Sequence, residues 1–428
     1  MFDQHRTYLA RFLSFFTILV CLFLLINFIS KQERANENPY WRYFYEALPE
    51  NSLDIVFMGN SHAQSAFIPE IIDAILGTNS IDLITQNSSI YQTKYEYMEV
   101  LRYQDPAAVV IVTTVIFYGS AGQPDEKNMQ FSFLDLMPFS IRKVQHLLDL
   151  YSFNDLIRYM FPFLEQHTDW KTPHRPIKRL LNLPNKSNQS SELKNQGYYQ
   201  LTDVLPLEWE QDNQFKEPAT CPTSDLSDRL EATKDVLKFD ASDPSKLLFI
   251  EAPVFINIYK LCQSPTFDLI EDNGVPHYEL LDDVVLPNLW FHDPTHMSQF
   301  GAVVASIDAA GLLAEELDIE MNAEALEYFM SYRFLDYVHT QEGNSVHIKL
   351  ISFDQEASEN LTYQWEVYLE GERIFEDKNQ SGSEFRFTIP NAREDYQIIV
   401  KINNPAGDYE LVGEFSLTND SPSEMTEE

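Results

Sequence analysis

Apolar positions change their spacing four times along this chain, and each change predicts a different kind of element. Residues 12–29 are an unbroken run of apolar and small side chains. With Leu9 and Ala10 the run reaches about the twenty residues that a helix needs to cross a bilayer. Between residues 50 and 120, short continuous apolar runs alternate with stretches at helical spacing. Residues 53–58, 81–85 and 108–115 read as buried strands, and 68–76 and 93–103 as helices, the second stopped by Asp105-Pro106. The alternation resumes late: 247–252 reads as a strand ended by Pro253, 289–291 as a short last strand, and 301–317 as an alanine- and leucine-rich helix. Strands that alternate with helices predict a parallel sheet with helices on both faces, a three-layer α/β/α fold.

Residues 120–240 interrupt that order with helical patches at 133–151 and 153–163 and a Ser/Asn-rich loop at 185–196. They read as an insertion that caps a cleft, a natural place for specificity. From about residue 343 the period becomes two, at 346–350, 363–369, 385–389, 396–402 and 410–417, which predicts a small antiparallel β-sandwich. The chain thus divides into an N-terminal transmembrane anchor (1–35), an α/β domain (36–335), an all-β sandwich (340–418) and an acidic disordered tail (419–428). The aromatic stretch 39–45 either lies at the headgroup level or forms the first amphipathic helix of the α/β domain.

With 428 residues there is ample length for a large core, and a net charge of −36 argues against nucleic acid and anionic lipid as partners. A cleaved signal peptide fits the N-terminus less well than an anchor, because the apolar run is long and no small-x-small site follows it. Arg6 and Arg11 before the run nearly balance Lys31 and Arg34 after it, so charge alone does not orient it. Cys221 and Cys262 either pair in an oxidising compartment or are two separate thiols, and neither has metal-ligand spacing.

The chemistry concentrates at two places. Residues 54–62 read Asp-Ile-Val-Phe-Met-Gly-Asn-Ser-His, a strand that breaks at a sharp corner and exposes the Ser61 hydroxyl. Residues 291–297 read Phe-His-Asp-Pro-Thr-His-Met, which puts Asp293 and His296 on one turn. A hydroxyl nucleophile needs a base, and the base needs an orienting carboxylate. Ser61, His296 and Asp293 supply all three. The plain alternatives are a helix-capping Ser61 and an Asp-Pro turn. A rival reading is a metal site of His292, Asp293 and His296, which lacks a further ligand cluster. His62 reads as structural or substrate-facing. In the C-terminal region, Tyr363, Trp365 and Tyr368 are candidates for a sugar-binding face, but Trp365 shares a strand face with Tyr363 and Val367, which favours core.

Gly59-Asn60-Ser61 and Asp293-x-x-His296 resemble the first and last signature blocks of the SGNH (GDSL-type) hydrolases, over roughly residues 50–320. Within that superfamily the chain looks most like the membrane-anchored, extracytoplasmic members that modify cell-surface polymers, the DltD-like and alginate O-acetylation proteins. The C-terminal Tyr-x-Trp-x-Val pattern looks like an immunoglobulin- or fibronectin-like module. The resemblance implies an SGNH/flavodoxin-like catalytic domain and a bulk that lies outside the cytoplasm. It implies acyl-ester chemistry, as O-acetyltransferase or esterase, on a cell-surface or secreted polysaccharide, with no cofactor and no metal. A membrane-bound acyltransferase is an implied partner. The oxyanion donors would be the N–H groups of Ser61 and of Ser89 or Ser88. The chain departs from the family here: residues 86–90 (Gln-Asn-Ser-Ser-Ile) lack the usual Gly, and residues 113–119 lack the usual Asn. These losses leave open a second reading, a catalytically degenerate surface protein that scaffolds or binds a polysaccharide.

Overall fold

The computed structural model describes residues 2–35, 38–117, 127–162, 196, 198–205, 223–240, 247–254, 260–281, 286–342, 344–380, 382–390 and 394–417. Its first element, α1 (Phe2–Ala35), contains the segment Arg11–Gln32, which is long and apolar enough to cross a membrane and is not buried by the rest of the chain. The helix ends in a polar clasp. Arg34 Nε donates to Asp135 Oδ2 at 2.6 Å, with both side chains buried, and the guanidinium lies 5.0 Å over the Phe131 ring and 5.2 Å over the Tyr159 ring.

Five strands form a parallel sheet in the order β2-β1-β3-β4-β5: β1 (Ile55–Gly59), β2 (Ser80–Ile84), β3 (Ala108–Val112), β4 (Leu247–Glu251) and β5 (His277–Glu279). Every residue of the first three is buried, which suits central parallel strands. Alternate residues point to opposite faces. Ile55 and Phe57 meet α3 (Ser61–Ala66), α4 (Pro69–Leu76) and α12 (Gln299–Leu317). Val56 and Met58 meet α2 (Pro39–Glu46), α5 (Ile90–Tyr103), α7 (Lys127–Leu136), α10 (Thr223–Asp240) and α11 (Lys260–Asp272). The strand order switches direction between β1 and β3, where parallel sheets open a crevice at their carboxyl ends.

Seven antiparallel strands follow. One sheet runs β10-β7-β6 (Glu384–Thr388, Ser345–Ser352, Phe334–Glu342) and the other β12-β11-β8-β9 (Glu410–Leu417, Tyr396–Asn403, Thr362–Leu369, Glu372–Gln380). Their inner faces meet through aromatic side chains, with the Trp365 and Phe385 rings stacked 4.9 Å apart. Trp365 and Tyr363 are fully buried, so they are core and not a sugar platform. This apolar cluster is continuous with that of α12, where the Phe300 ring meets Phe334 edge-on at 5.7 Å.

Several sequence expectations need correction. The apolar run 289–291 is not a strand: Asn288–Trp290 is a 3-10 turn, and Phe291 makes only an isolated bridge to Met297. The fifth strand is instead His277–Glu279, too short and too polar to signal itself. The run 108–115 leaves the sheet at Val112, and Thr114–Phe117 turns into a short helix, α6. The patch 133–151 is split at Pro138 into α7 and α8 (Ile141–Leu150). Two C-terminal strands, β6 and β9, went unread. The stretch 39–45 is the helix α2, with Trp41 and Phe44 buried, as the amphipathic-helix alternative has it. Of the expected insertion, α7, α8 and α9 (Phe153–Met160) pack beside α1, α2 and α5. The loop 185–195, Cys221 and the tail 419–428 lie outside the described residues, as does the side chain of Cys262.

Candidate active site

Gly59 ends β1 where α3 crosses closest. A Cβ there would lie 2.6 Å from that of Ala63, so the corner admits no larger residue without a shift. Asn60 then caps α3. Its Oδ1 accepts from the His62 N–H at 3.1 Å and from Thr114 Oγ1 at 3.0 Å, which ties the corner to the end of β3. Ser61 is the first residue of the helix, so its N–H has no acceptor within the helix.

The other half of the site is a cinched loop. Ser298 N donates to Trp290 O at 2.9 Å, Ser298 Oγ to Leu289 O at 2.6 Å, and His292 N to His296 O at 2.9 Å. Gly301 lets α12 start against this loop, because a Cβ there would lie 2.2 Å from Trp290 O. Inside the loop, Asp293 Oδ1 accepts from the N–H of Thr295 at 2.8 Å, the N–H of His296 at 2.9 Å and Thr295 Oγ1 at 3.0 Å. Asp293 Oδ2 faces His296 Nδ1 at 2.8 Å. Burial alone would push the Asp293 carboxyl up. The hydrogen bonds from His296 and Thr295 and the nearby imidazole outweigh it and hold the group well below the usual carboxylate range. An ionised partner at Nδ1 fixes the proton there and leaves Nε2 as an acceptor. His296 Nε2 lies 2.8 Å from Ser61 Oγ. All three expected residues therefore come together, across 235 positions of sequence.

His62, expected to be structural or substrate-facing, lies against His296. Its ring stacks on His296 with centroids 4.9 Å apart and planes 15° off parallel. Its Nδ1 lies 3.0 Å from Asn60 Oδ1. Burial lowers its pKa to about 3, helped by the neighbouring His296 imidazole and opposed by Asp293, so the ring stays neutral against His296. Of the two oxyanion candidates, Ser88 has its N–H committed to Thr85 O at 2.9 Å and its hydroxyl within reach of Thr93 and Glu96. Ser89 caps α5 with an extended backbone, and its N–H takes no acceptor among the described residues. Sequence reading passed over Asn60 and Thr114. The signal for Asn60 was its place before Ser61; for Thr114 there was none short of the fold.

The metal reading of His292, Asp293 and His296 is not assembled, since both His296 nitrogens are already paired and His292 Nδ1 faces Asp203 at 3.5 Å. Among the described residues, the donors that converge within 4.8 Å are Glu251, His277 and Glu279, on the paired ends of β4 and β5. The His277 ring stacks on Phe267 at 3.8 Å, and burial lowers its pKa to about 4.

No protein-family description matches the chain, and no curated protein matches it. Solved structures with a partial likeness include the rat CD45 extracellular region, domains d3–d4, at 21% identity and a TM-score of 0.16, over 19% of this chain and 46% of that one. Another is the pectate lyase Pel3 from Pectobacterium carotovorum, at 15% identity and a TM-score of 0.16, over 19% of this chain and 25% of that one. The chain spans about half the length of the first and a quarter of the second. Likenesses this slight carry no argument about fold or activity.

Proposed function

We propose that this chain is a membrane-anchored serine acyl-ester enzyme of SGNH type, an O-acetyltransferase or esterase that acts on a cell-surface or secreted polysaccharide. One observation carries the reading: the unbroken relay of 2.8 Å contacts from Ser61 Oγ to His296 Nε2 and from His296 Nδ1 to Asp293. In it, Ser61 Oγ attacks the acyl carbonyl as His296 Nε2 takes the hydroxyl proton. The bond from the acyl carbon to the departing alcohol oxygen breaks, and His296 returns the proton to that oxygen. In the second half, a sugar hydroxyl or water gives a proton to His296 and attacks the acyl-serine, which restores the Ser61 hydroxyl. Asp293 offsets the imidazolium charge in both halves. The candidate donors to a tetrahedral oxyanion are the N–H groups of Ser61 and Ser89, since the Ser88 N–H is already committed to Thr85. The anchor reading rests on Arg11–Gln32. The outward orientation and the membrane-bound acyltransferase partner follow the family resemblance.

The test treats the full chain in detergent with a fluorophosphonate probe and p-nitrophenyl acetate, beside Ser61→Ala and His296→Ala. Labelling and acetate release by the wild type, lost by at least a thousandfold in both variants, is the expected result. A folded wild type that neither labels nor releases acetate defeats the enzyme reading and favours a scaffold. Added sugar acceptors then separate transfer from hydrolysis.

A further inference from the structure

The helices α8 and α9 wear their apolar residues on the outside. On α8, Ile141, Val144 and Leu148 recur at i, i+3 and i+7, and on α9 Phe153 and Met160 lie two turns apart. These are stripes of the sort that normally face a core. Here they face out: Phe139, just before α8, is 88% exposed, Ile141 80%, Phe153 74% and Leu148 66%. The opposite sides of the same helices are the ones that pack inward, through His146 and Tyr159, both buried. Among the described residues, the other large apolar side chains more than half exposed belong, Tyr199 apart, to α1.

The place of these helices says what meets the stripes. Phe161, directly after α9, has its ring 5.5 Å from that of Phe23, which lies in the middle of Arg11–Gln32. Phe23 is nine residues before the end of that segment, about 14 Å along the helix axis at 1.5 Å per residue. Lys31, at the same end, sits 5.0 Å over the Tyr159 ring of α9. The α9 end of the pair therefore lies level with hydrocarbon, and not beyond it, whenever α1 spans a bilayer.

We propose that the outward stripes of α8 and α9, with Phe139, lie in the headgroup–acyl boundary of the same bilayer that α1 crosses. The body is then seated on the membrane by two interfacial helices and not merely tethered by one. The surface is apolar, with Lys31 at its rim, so it takes up zwitterionic lipid despite the acidity of the whole chain. The seat fixes which way the carboxyl edge of the sheet, and so Ser61, faces relative to the membrane. The proposal rests on the anchor reading of α1 and is independent of the chemistry at Ser61.

The test places the full chain in phosphatidylcholine nanodiscs, with Cys21, Cys221 and Cys262 replaced by Ser and one fluorophore at Leu148→Cys or Phe153→Cys. Controls carry it at Leu22→Cys in α1 or at Tyr199→Cys, an exposed site beside α3. Lipids spin-labelled on the acyl chain serve as quencher. The expected result is at least twofold quenching at positions 148, 153 and 22 and none at 199. Quenching at 22 without quenching at 148 and 153 overturns the proposal and leaves the anchor intact. No quenching at 22 overturns the anchor and the proposal with it.

Discussion

The two faces of the parallel sheet are covered by the same kind of material used in opposite ways. On the face that carries the candidate site lies α12, an apolar helix buried along most of its length among α3, α4 and β12. On the side of the other face lies α1, more apolar and uncovered through its membrane-length segment. Charge and side-chain size both separate them: α12 carries Asp308, Glu315 and Glu316, and its packed positions are small. Gly301, Ala302, Ala305, Ala309 and Ala310 let α12 approach its neighbours closely, and those positions are buried. Most Phe and Leu side chains of α1 stand outward instead, and the helix meets the body on one side, through Phe23 against Phe161, Lys31 over Tyr159 and the Arg34 clasp. Packing therefore fixes one helix, and a polar clasp fixes the end of the other.

The largest expected effect falls on that clasp. Arg34→Ala leaves the buried Asp135 carboxylate without its cation, which typically costs about 3–5 kcal/mol. Urea unfolding of the full chain in detergent should show a loss of that order. The double change Arg34→Met with Asp135→Leu should recover most of it, because a well-packed apolar pair avoids the desolvation cost. A single variant within about 0.5 kcal/mol of wild type would show that the clasp does not hold α1, and the comparison would fail on that side.

The two regions also differ in how far the sequence announced them. The central strands at 53–58, 81–85 and 247–252 declared themselves because buried parallel strands are continuously apolar. So did α12 and the Ser61 and Asp293–His296 blocks, whose local turns need particular residues. What escaped has a common cause, in that a tertiary partner supplied what the local pattern lacked. His277–Glu279 is a strand only because β4 offers an edge. The run 289–291 is apolar because Trp290 plugs the core, with Nε1 donating to Phe334 O at 2.7 Å, and not because it extends. Tyr363 and Trp365 were legible as core from the alternation alone, whereas β6 and β9 carry too many polar residues to show one. The oxyanion side stayed dark for a different reason: backbone N–H groups leave no trace in residue type, so only the observed bond from Ser88 to Thr85 separates Ser88 from Ser89.

On the packed side, the next effect in size tests close approach. Gly301→Ala drives a methyl against Trp290 O and should cost about 1–3 kcal/mol in the same unfolding experiment. It should also slow fluorophosphonate labelling of Ser61, because Trp290 and Met297 bracket the loop that holds His296. Gly311→Ala, on the same helix with open space around it, should instead be neutral or stabilise by up to about 1 kcal/mol. Equal losses at the two positions would mean that α12 responds to helix content and not to contact.

The smallest effect asks whether the two regions answer acid alike. Each buries a neutral histidine: His62 beside His296, and His146 on α8, where Nε2 lies 2.8 Å from Gln92 Oε1. Burial lowers both to about 3, with the His296 charge adding to it at His62 and Lys143 adding to it at His146. An unfolded histidine titrates near pH 6.5. Between about pH 6.5 and 3 the unfolded chain therefore holds more protons than the folded one, so stability is fully present above that window and is lost as pH falls through it. Each residue contributes a slope of up to about 1.4 kcal/mol per pH unit. His62→Gln and His146→Gln should each flatten the decline of unfolding free energy from pH 6.5 to 4.5. The two part at the site. Replacing His62 removes the neutral ring stacked on His296 and should shift the pH profile of Ser61 labelling, while His146→Gln should leave that profile in place. If both variants shifted it equally, His62 would count as one more buried group and not as part of the setting of the base.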